Sequence, residues 1–370
     1  MDIGVWMCRP TLEEKLALRT SSNLEGTWNL RNWPMIAERT IGGTCEQPFP
    51  LYPQLVETLA AAHLTVPAER NGTVAHVLGT CAGYAYADTN TVTTMMVRVG
   101  FERHACVRIS QTVDAMYIFS TAYLVQSRCG RVVILCYRGT ETGNLANWLG
   151  DAEVGSESST LSLSDGAEKV RIHAGFHRNV RATWWEVLRE LSFAVQGRSL
   201  ADPAETVEHP LEALYVTGHS LGGAMAALFA LTISANSVHR SLADRLRAVY
   251  TFGQPMAVAA PLPQATNEAG QKMFRHVIPR DPIPALPPAQ WGPFVHFGQE
   301  YRYVNGEWQR AESPVAQLAL KEIPRSVLAF FAPEKRRASW RYTVDLHAPH
   351  HYIDALRPKD RVTEFGDWTH

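Results

Sequence analysis

The sequence predicts an α/β fold with a mostly parallel central sheet and helices on both faces. Three segments carry this prediction: an apolar, β-branched run between Arg131 and Tyr137, a short strand at Leu214–Thr217, and another strand at Arg247–Phe252. A continuous apolar run is typical of a strand that is covered on both sides, as in a parallel sheet. An Ala-rich helix at Leu221–Ile233 separates the last two strands. Strands that alternate with helices indicate a sheet with helices packed on its faces.

The same patterns predict the remaining elements. Residues 1–50 show no periodicity, so we expect them to be irregular. Apolar residues at three- and four-residue spacing predict helices at Leu51–Thr65, Asp114–Gln126, Arg178–Val195 and Pro314–Phe331. Shorter apolar runs predict strands at Phe274–Ile278 and Phe294–Phe297 and a β-ribbon near Tyr301–Trp308. We expect residues 1–75 to form an extension packed on a domain of residues 76–370, with a helical insertion near 311–342.

Composition excludes several classes of function. The chain has 370 residues, of which 46% are apolar, and its 35 Lys and Arg against 36 Asp and Glu give a net charge of −1. A nearly neutral chain does not indicate a basic surface for nucleic acid or an anionic membrane. No run of 18 apolar residues occurs, so the sequence predicts a soluble protein without a transmembrane segment.

The N-terminal residues and the cysteines bear on location. Residues 1–10 lack the basic start, apolar stretch and small-residue cleavage site of a secretory signal, so we expect a cytoplasmic protein. The six cysteines are scattered and form no C-x-x-C pair. This spacing predicts neither a zinc knuckle nor a disulfide framework.

A G-x-S-x-G motif at Gly218–Gly222 carries the sharpest functional signal, because it stands where a predicted strand ends and a predicted helix begins. In that context the serine occupies a strained turn, and bulkier residues at positions 218 and 222 would collide with the strand and the helix. The turn presents the Ser220 hydroxyl, and N–H groups at the start of the helix point to the same place. Ser220 is therefore the candidate nucleophile. The alternative is a serine that only caps the helix.

Further motifs surround this serine in a fixed order. They are Tyr137-Arg-Gly-Thr140, Asn147-Trp148, Ile172-His-Ala-Gly-Phe176, Phe252-Gly-Gln-Pro255, Arg280-Asp-Pro-Ile-Pro284 and Val295-His-Phe-Gly298. Together with the G-x-S-x-G turn at Gly218–Gly222, called the elbow below, they resemble the fungal-lipase-like (class 3) family of α/β-hydrolases, over about residues 79–356. The resemblance implies an α/β-hydrolase fold with a lid helix over the active site, and a serine hydrolase mechanism that needs no cofactor.

The resemblance also implies the other members of the site. Thr140 and the backbone N–H of Leu221 would hold the oxyanion of the tetrahedral intermediate. Asp281 follows the serine in the chain order of this fold and would orient an imidazole, although an aspartate beside proline is also a common turn residue. His347, five residues before a tyrosine that opens the last helix, matches the family's catalytic histidine.

Neighbouring histidines leave alternatives open. His350 or His351 could replace His347 as the base, because Leu346 stands where the family often has aspartate. His219, beside the nucleophile, is expected to be structural. A metal site formed by His347, His350 and His351 is a weaker alternative, and the predicted site contains no metal.

The segment 141–170 is the candidate lid. Leu145, Trp148 and Leu149 fall on one helical face. In the family this position resembles the lid, which would cover an apolar groove in water and make transient contact with a lipid interface. The alternative is a short helix packed in the core.

The sequence thus predicts a carboxylic ester hydrolase, most simply a lipase or esterase that acts on acylglycerols or other fatty acyl esters. A phospholipase A1-type acyl hydrolase is the alternative within the same chemistry. A binding protein that retains the hydrolase frame without catalysis is the alternative of another class.

Overall fold

The computed structural model describes residues 37–46, 48–116, 118–140, 158–319 and 345–368. Within these residues the main sheet has nine strands in the order β1-β2-β3-β4-β7-β8-β10-β12-β13. Its strands are β1 Ala37–Ile41, β2 Ala105–Val113, β3 Ile118–Gln126, β4 Val132–Tyr137, β7 Ala213–His219, β8 Leu246–Phe252, β10 Met273–Val277, β12 Gln299–Val304 and β13 Glu307–Arg310.

The sheet is mixed, and its parallel part positions the site. Strands β4, β7, β8, β10 and β12 run parallel to one another. Strands β1 to β4 pair antiparallel, and β13 returns antiparallel along β12. Tyr137 lies opposite Gly218, and His219 lies opposite Phe252. The carboxyl ends of the parallel strands therefore meet at one edge, where α/β proteins place their ligands.

Helices cover both faces of this sheet. They are α1 Leu55–Ala61, α2 Gly72–Tyr84, α3 Thr89–Val99, α4 Ala174–Val195, α5 Leu221–Ala235, α6 Arg240–Ala243, α7 Gln264–Gly270 and α8 Pro349–Leu356. On one face, residues of α1, α2, α3 and α8 share a core with Ile134, Tyr215 and Tyr250. On the other face, Tyr137 contacts Phe229 of α5, so successive side chains of β4 point to opposite faces.

A smaller sheet of four strands accompanies the main one in the described residues. It has the order β11-β9-β6-β5, formed by β5 Ser158–Leu163, β6 Glu168–His173, β9 Val258–Ala259 and β11 Phe294–Val295. All of its pairs are antiparallel. Strand β5 and the first residues of β6 lie within the candidate lid segment 141–170, and β6 leads directly into α4.

The structure describes all or part of two segments that were predicted to be helical. The helix predicted at Asp114–Gln126 is wrong, because this stretch contains the strand β3, whose last seven residues are all buried. Its aromatic and β-branched residues suit a strand covered on both sides, and the three-residue spacing of its apolar positions was coincidental. Residues 314–319, at the start of the helix predicted at Pro314–Phe331, are irregular, and the rest of that stretch lies outside the described residues.

In the part of the chain that the structure describes, no single helix has the length and apolarity needed to cross a bilayer. Only the segments Leu221–Ala235 and Ser237–Ala243 reach that threshold together, and they are bent by 102°.

Candidate active site

Ser220 stands at the turn between β7 and α5. Its φ of 59° and ψ of −129° lie outside the regions that L-residues ordinarily adopt, so the turn is strained. The backbone N–H of Ser220 donates to the carbonyl of Phe252 at 2.9 Å, which ties the turn to the end of β8. The Ser220 side chain makes no capping hydrogen bond. Helix capping therefore does not explain this serine.

The glycines on either side of Ser220 leave no room for a side chain. A Cβ atom on Gly218 would collide with the backbone of Gly222, and one on Gly222 would collide with the carbonyl of Tyr137. The turn after β4 and the first turn of α5 are therefore in direct backbone contact. This contact is the steric reason for the glycine requirement that the sequence motif predicted.

Asp281 lies in the loop after β10, and the structure satisfies both of its carboxylate oxygens. Oδ1 accepts the backbone N–H of Ile283 at 2.9 Å, and Oδ2 accepts the hydroxyl of Tyr352 at 2.6 Å and Nδ1 of His347 at 2.8 Å. The loop is braced by His296, whose Nε2 donates to the carbonyl of Pro284 at 2.7 Å. These contacts hold the carboxylate in one orientation.

The His347 ring is buried and faces the end of β8. Its Nδ1 and Cε1 atoms lie against Gly253, the residue that follows the strand. Because Nδ1–H donates to Asp281, Nε2 of the neutral ring has a free lone pair. Among the described residues neither Nε2 of His347 nor Oγ of Ser220 has a hydrogen-bond partner, although both atoms are buried. The Ser220 hydroxyl and Nε2 of His347 are therefore both available to react with a substrate.

His219, expected to be structural, connects two parts of the site. Its Nε2 donates to the backbone carbonyl of His347 at 2.7 Å, so Nδ1 accepts the hydroxyl of Tyr86 at 2.9 Å. Its ring centroid lies 4.5 Å from that of His347. Burial lowers the pKa of His219 well below the usual value, and the neighbouring His347 lowers it further. The neutral ring therefore fixes the backbone of His347.

The two predicted oxyanion donors lie beside the elbow. Leu221 is the first residue of α5, and its N–H belongs to the first turn, which has no partner within the helix. Thr140 is buried three residues after Tyr137, whose carbonyl lies against Gly222. The strand register therefore places both residues at the same edge of the sheet as Ser220.

The remaining predicted residues divide into two groups. Leu145, Trp148 and Leu149 lie outside the described residues. His350 is exposed and His351 is partly exposed, and in the described residues Asp281 pairs with His347 rather than with either of them. In the described residues, the side chains that could share a metal ion are Asp345, His350 and His351, and His347 is not among them.

Sequence reasoning missed two contributors to the site. Tyr86 bonds to His219 across 133 positions of the chain, and no motif around Tyr86 signals that contact. Tyr352 served only as a marker for counting back to His347, yet its hydroxyl is a partner of Asp281. The five-residue spacing between His347 and Tyr352 was a usable signal, because it brings both side chains to one carboxylate.

Sequence comparisons relate the chain to known lipases. Residues 134–291 match the class 3 lipase family. The chain is 25% identical over 224 residues to a lipase of Rhizomucor miehei, and 25% identical over 226 residues to the secreted mono- and diacylglycerol lipase 1 of Fusarium solani. Each alignment covers 60% of this chain, and the two cover 56% and 60% of these relatives.

Comparison with solved structures supports the fold. Lipase II from Rhizopus niveus superposes with a TM-score of 0.50 at 19% identity, covering 69% of this chain and 90% of that chain. The predicted α/β-hydrolase fold is thereby confirmed.

The predicted cytoplasmic location is wrong in the light of these relatives. The Fusarium solani enzyme is named as a secreted protein. The absence of signal-peptide features in residues 1–10 was the basis of that prediction, and it does not outweigh this finding.

Proposed function

Because residues 134–291 match the class 3 lipase family, we propose that the chain hydrolyses carboxylic esters of fatty acids, acylglycerols in particular. One observation carries the proposal: the buried Ser220 hydroxyl lies at a strained elbow, next to the segment that holds the Asp281–His347 pair. The relatives described above are named as lipases, one of them for mono- and diacylglycerols. The chain spans only a little over half of their length, so the substrate class is part of the proposal.

The proposed reaction begins at Nε2 of His347, which removes the proton from Oγ of Ser220 as that oxygen attacks the ester carbonyl. A tetrahedral intermediate forms, and its oxyanion accepts hydrogen bonds from the N–H groups of Leu221 and Thr140. The protonated His347 then gives its proton to the leaving alcohol. Water repeats the sequence on the acyl-enzyme and releases the fatty acid.

Asp281 stabilises the charged imidazole during each proton transfer. Its Oδ2 accepts Nδ1–H of His347, and the Tyr352 hydroxyl and the Ile283 N–H keep the carboxylate from rotating. A fixed anion at this position favours the imidazolium that forms in the transition state, and it costs no reorganisation at that moment.

The lid belongs to the proposal on sequence pattern alone. Leu145, Trp148 and Leu149 would cover the acyl site in water and contact a lipid interface transiently. Activity on an ester series should then rise above the concentration at which the substrate forms micelles.

The decisive experiment compares Ser220→Ala with Ser234→Ala, which changes an exposed serine on the same helix. Turnover of a p-nitrophenyl ester should fall on the order of 10⁴- to 10⁶-fold in Ser220→Ala and stay unchanged in Ser234→Ala. A fluorophosphonate probe should label the wild-type chain and not Ser220→Ala, because only an activated serine reacts.

Two results would count against the proposal. Substantial activity in Ser220→Ala would remove the serine from the mechanism. An unlabelled wild-type chain would favour a binding protein on the same fold. Parallel assays with triglyceride and phospholipid separate the lipase from the phospholipase A1-type alternative.

A further inference from the structure

A group of three metal-ligating side chains lies next to the candidate base and takes no part in the proposed reaction. In the described ranges, only Asp345, His350 and His351 form such a group, and their potential ligand atoms all lie within 4.8 Å of one another. Nε2 of His351 is 3.3 Å from Oδ2 of Asp345, and the ring centroids of His350 and His351 are 4.0 Å apart. From these distances we propose that the three side chains bind a divalent transition-metal ion of the Zn²⁺ class.

The spacing fits such an ion. Two ligands on a tetrahedral Zn²⁺ with bonds near 2.0–2.2 Å are separated by about 3.3 Å, the distance between His351 and Asp345. A ring nitrogen of His350 lies within 4.8 Å of the other two ligand atoms, and the ring is exposed, so its side chain is free to adjust towards a bound ion. A fourth position would face solvent and hold water.

The donor set decides which cation binds. Two imidazole nitrogens and one carboxylate suit Zn²⁺, Co²⁺, Ni²⁺ or Cu²⁺. Ca²⁺ and Mg²⁺ prefer six or more oxygen ligands, and this group offers one carboxylate. Both histidines lie in the first turn of α8, where the helix dipole is positive and disfavours a cation. The negative charge of Asp345 offsets this effect.

Placement gives the site a structural consequence. The ligands lie on both sides of His347 in the chain: Asp345 begins a single turn of 3₁₀ helix that ends at His347, and His350 and His351 belong to the first turn of α8. The His347 ring itself is buried and committed to Asp281. A bound ion would join the two turns and hold between them the backbone from which His347 projects.

Zinc titration of a chain without a histidine tag tests the site. Isothermal calorimetry at about pH 7.5 should give one Zn²⁺ per chain, and Zn²⁺ at 100 times the Kd should raise Tm by about 3 °C. The variants Asp345→Asn, His350→Gln and His351→Gln should each weaken binding at least about 10-fold and lose the shift in Tm.

Two controls make the result specific. Glu208 and His209 form an exposed pair at 3.4 Å whose group contains no third ligand among the described residues, so His209→Gln should bind Zn²⁺ like the wild type. His347→Gln should also retain binding, which separates this site from zinc bound at the candidate triad.

The outcomes are distinct. Unchanged binding in the three ligand variants, loss of binding in His347→Gln, or no saturable binding would each overturn the proposal. None of these measurements requires ester hydrolysis, so they stand or fall independently of the proposed function.

Discussion

His219 shows how a residue that touches no reacting atom can control the geometry of one that does. Its ring has one tautomer, because Nε2 must donate to the carbonyl of His347 and Nδ1 must accept from Tyr86. Burial keeps the ring neutral by lowering its pKa. The contact links the elbow directly to the segment that carries the candidate base.

We expect His219→Leu to lower kcat on the order of 10²-fold with little change in KM, because a shift of about 1 Å in a catalytic group has that effect. His219→Gln should recover part of kcat, since its amide N–H can still donate to the His347 carbonyl. Steady-state kinetics on a soluble ester would measure both variants. Equal kcat values for Leu and Gln, with Tm near that of the wild type, would contradict the positioning role.

The sequence identifies some of the site residues and not others. Ser220 was predictable from a local pattern, since elbow geometry requires glycines at fixed offsets on both sides of the serine. Asp281 and His347 were proposed from the family resemblance, Asp281 by its motif and His347 by its spacing to Tyr352, and the structure brings the two side chains together. Tyr86 was not, because its contact with His219 depends on how α2 packs over the sheet, and a single sequence does not encode that packing in a short motif.

The elbow is built by contact between two turns. Gly222 lies against the backbone of Tyr137, so the turn after β4 and the start of α5 fit together only without a side chain at this position. The same contact brings Thr140 to the edge that holds Ser220. The stability of the elbow and the geometry of the candidate oxyanion site therefore depend on the same glycine.

We expect Gly222→Ala to lower the free energy of unfolding by about 1–3 kcal/mol or more, because neither backbone segment can move away cheaply. Gly72→Ala is the matched control: a Cβ there meets no atom within 4 Å at the start of α2, and alanine favours a helix. Urea denaturation of both variants checks the difference. Equal stability of the two variants would show that the elbow tolerates a side chain.

Segments with one consistent pattern were predictable as elements. The run before Tyr137, the strand before the elbow and the Ala-rich helix after it all correspond to β4, β7 and α5. The stretch at Asp114–Gln126 was not predictable by spacing alone, since Ile118, Ala122 and Val125 also satisfy a helical repeat. Only pairing with β2 and β4 settles it as a strand.

Several imidazoles lie buried in the core of the described residues. In the ranges that the structure describes, five histidines are at most 6% exposed and have a pKa below the usual value, with burial as the largest cause in each case. They are His76, His104, His219, His276 and His296. Burial lowers the pKa of His76 to about 3 and that of His104 to about 4.

These groups make the folded state sensitive to acid. Above about pH 6.5 they are neutral in both the folded and the unfolded chain, so they do not lower the free energy of unfolding. Below that pH these histidines are protonated in the unfolded chain. In the folded chain they stay neutral until the pH reaches their lowered pKa values. Each histidine therefore removes on the order of 1.4 kcal/mol of stability per pH unit in this window.

We expect the free energy of unfolding to fall steeply between about pH 6.5 and pH 4, since an ordinary domain has only about 5–15 kcal/mol to lose. Urea denaturation at a series of pH values measures the slope, which gives the protons taken up on unfolding. His76→Gln, at a ring that pairs with Tyr52, should reduce that uptake by about one proton. A free energy that stays level from about pH 7.5 to pH 5 would show that water reaches these imidazoles in the folded protein, because only solvated rings could protonate without unfolding it.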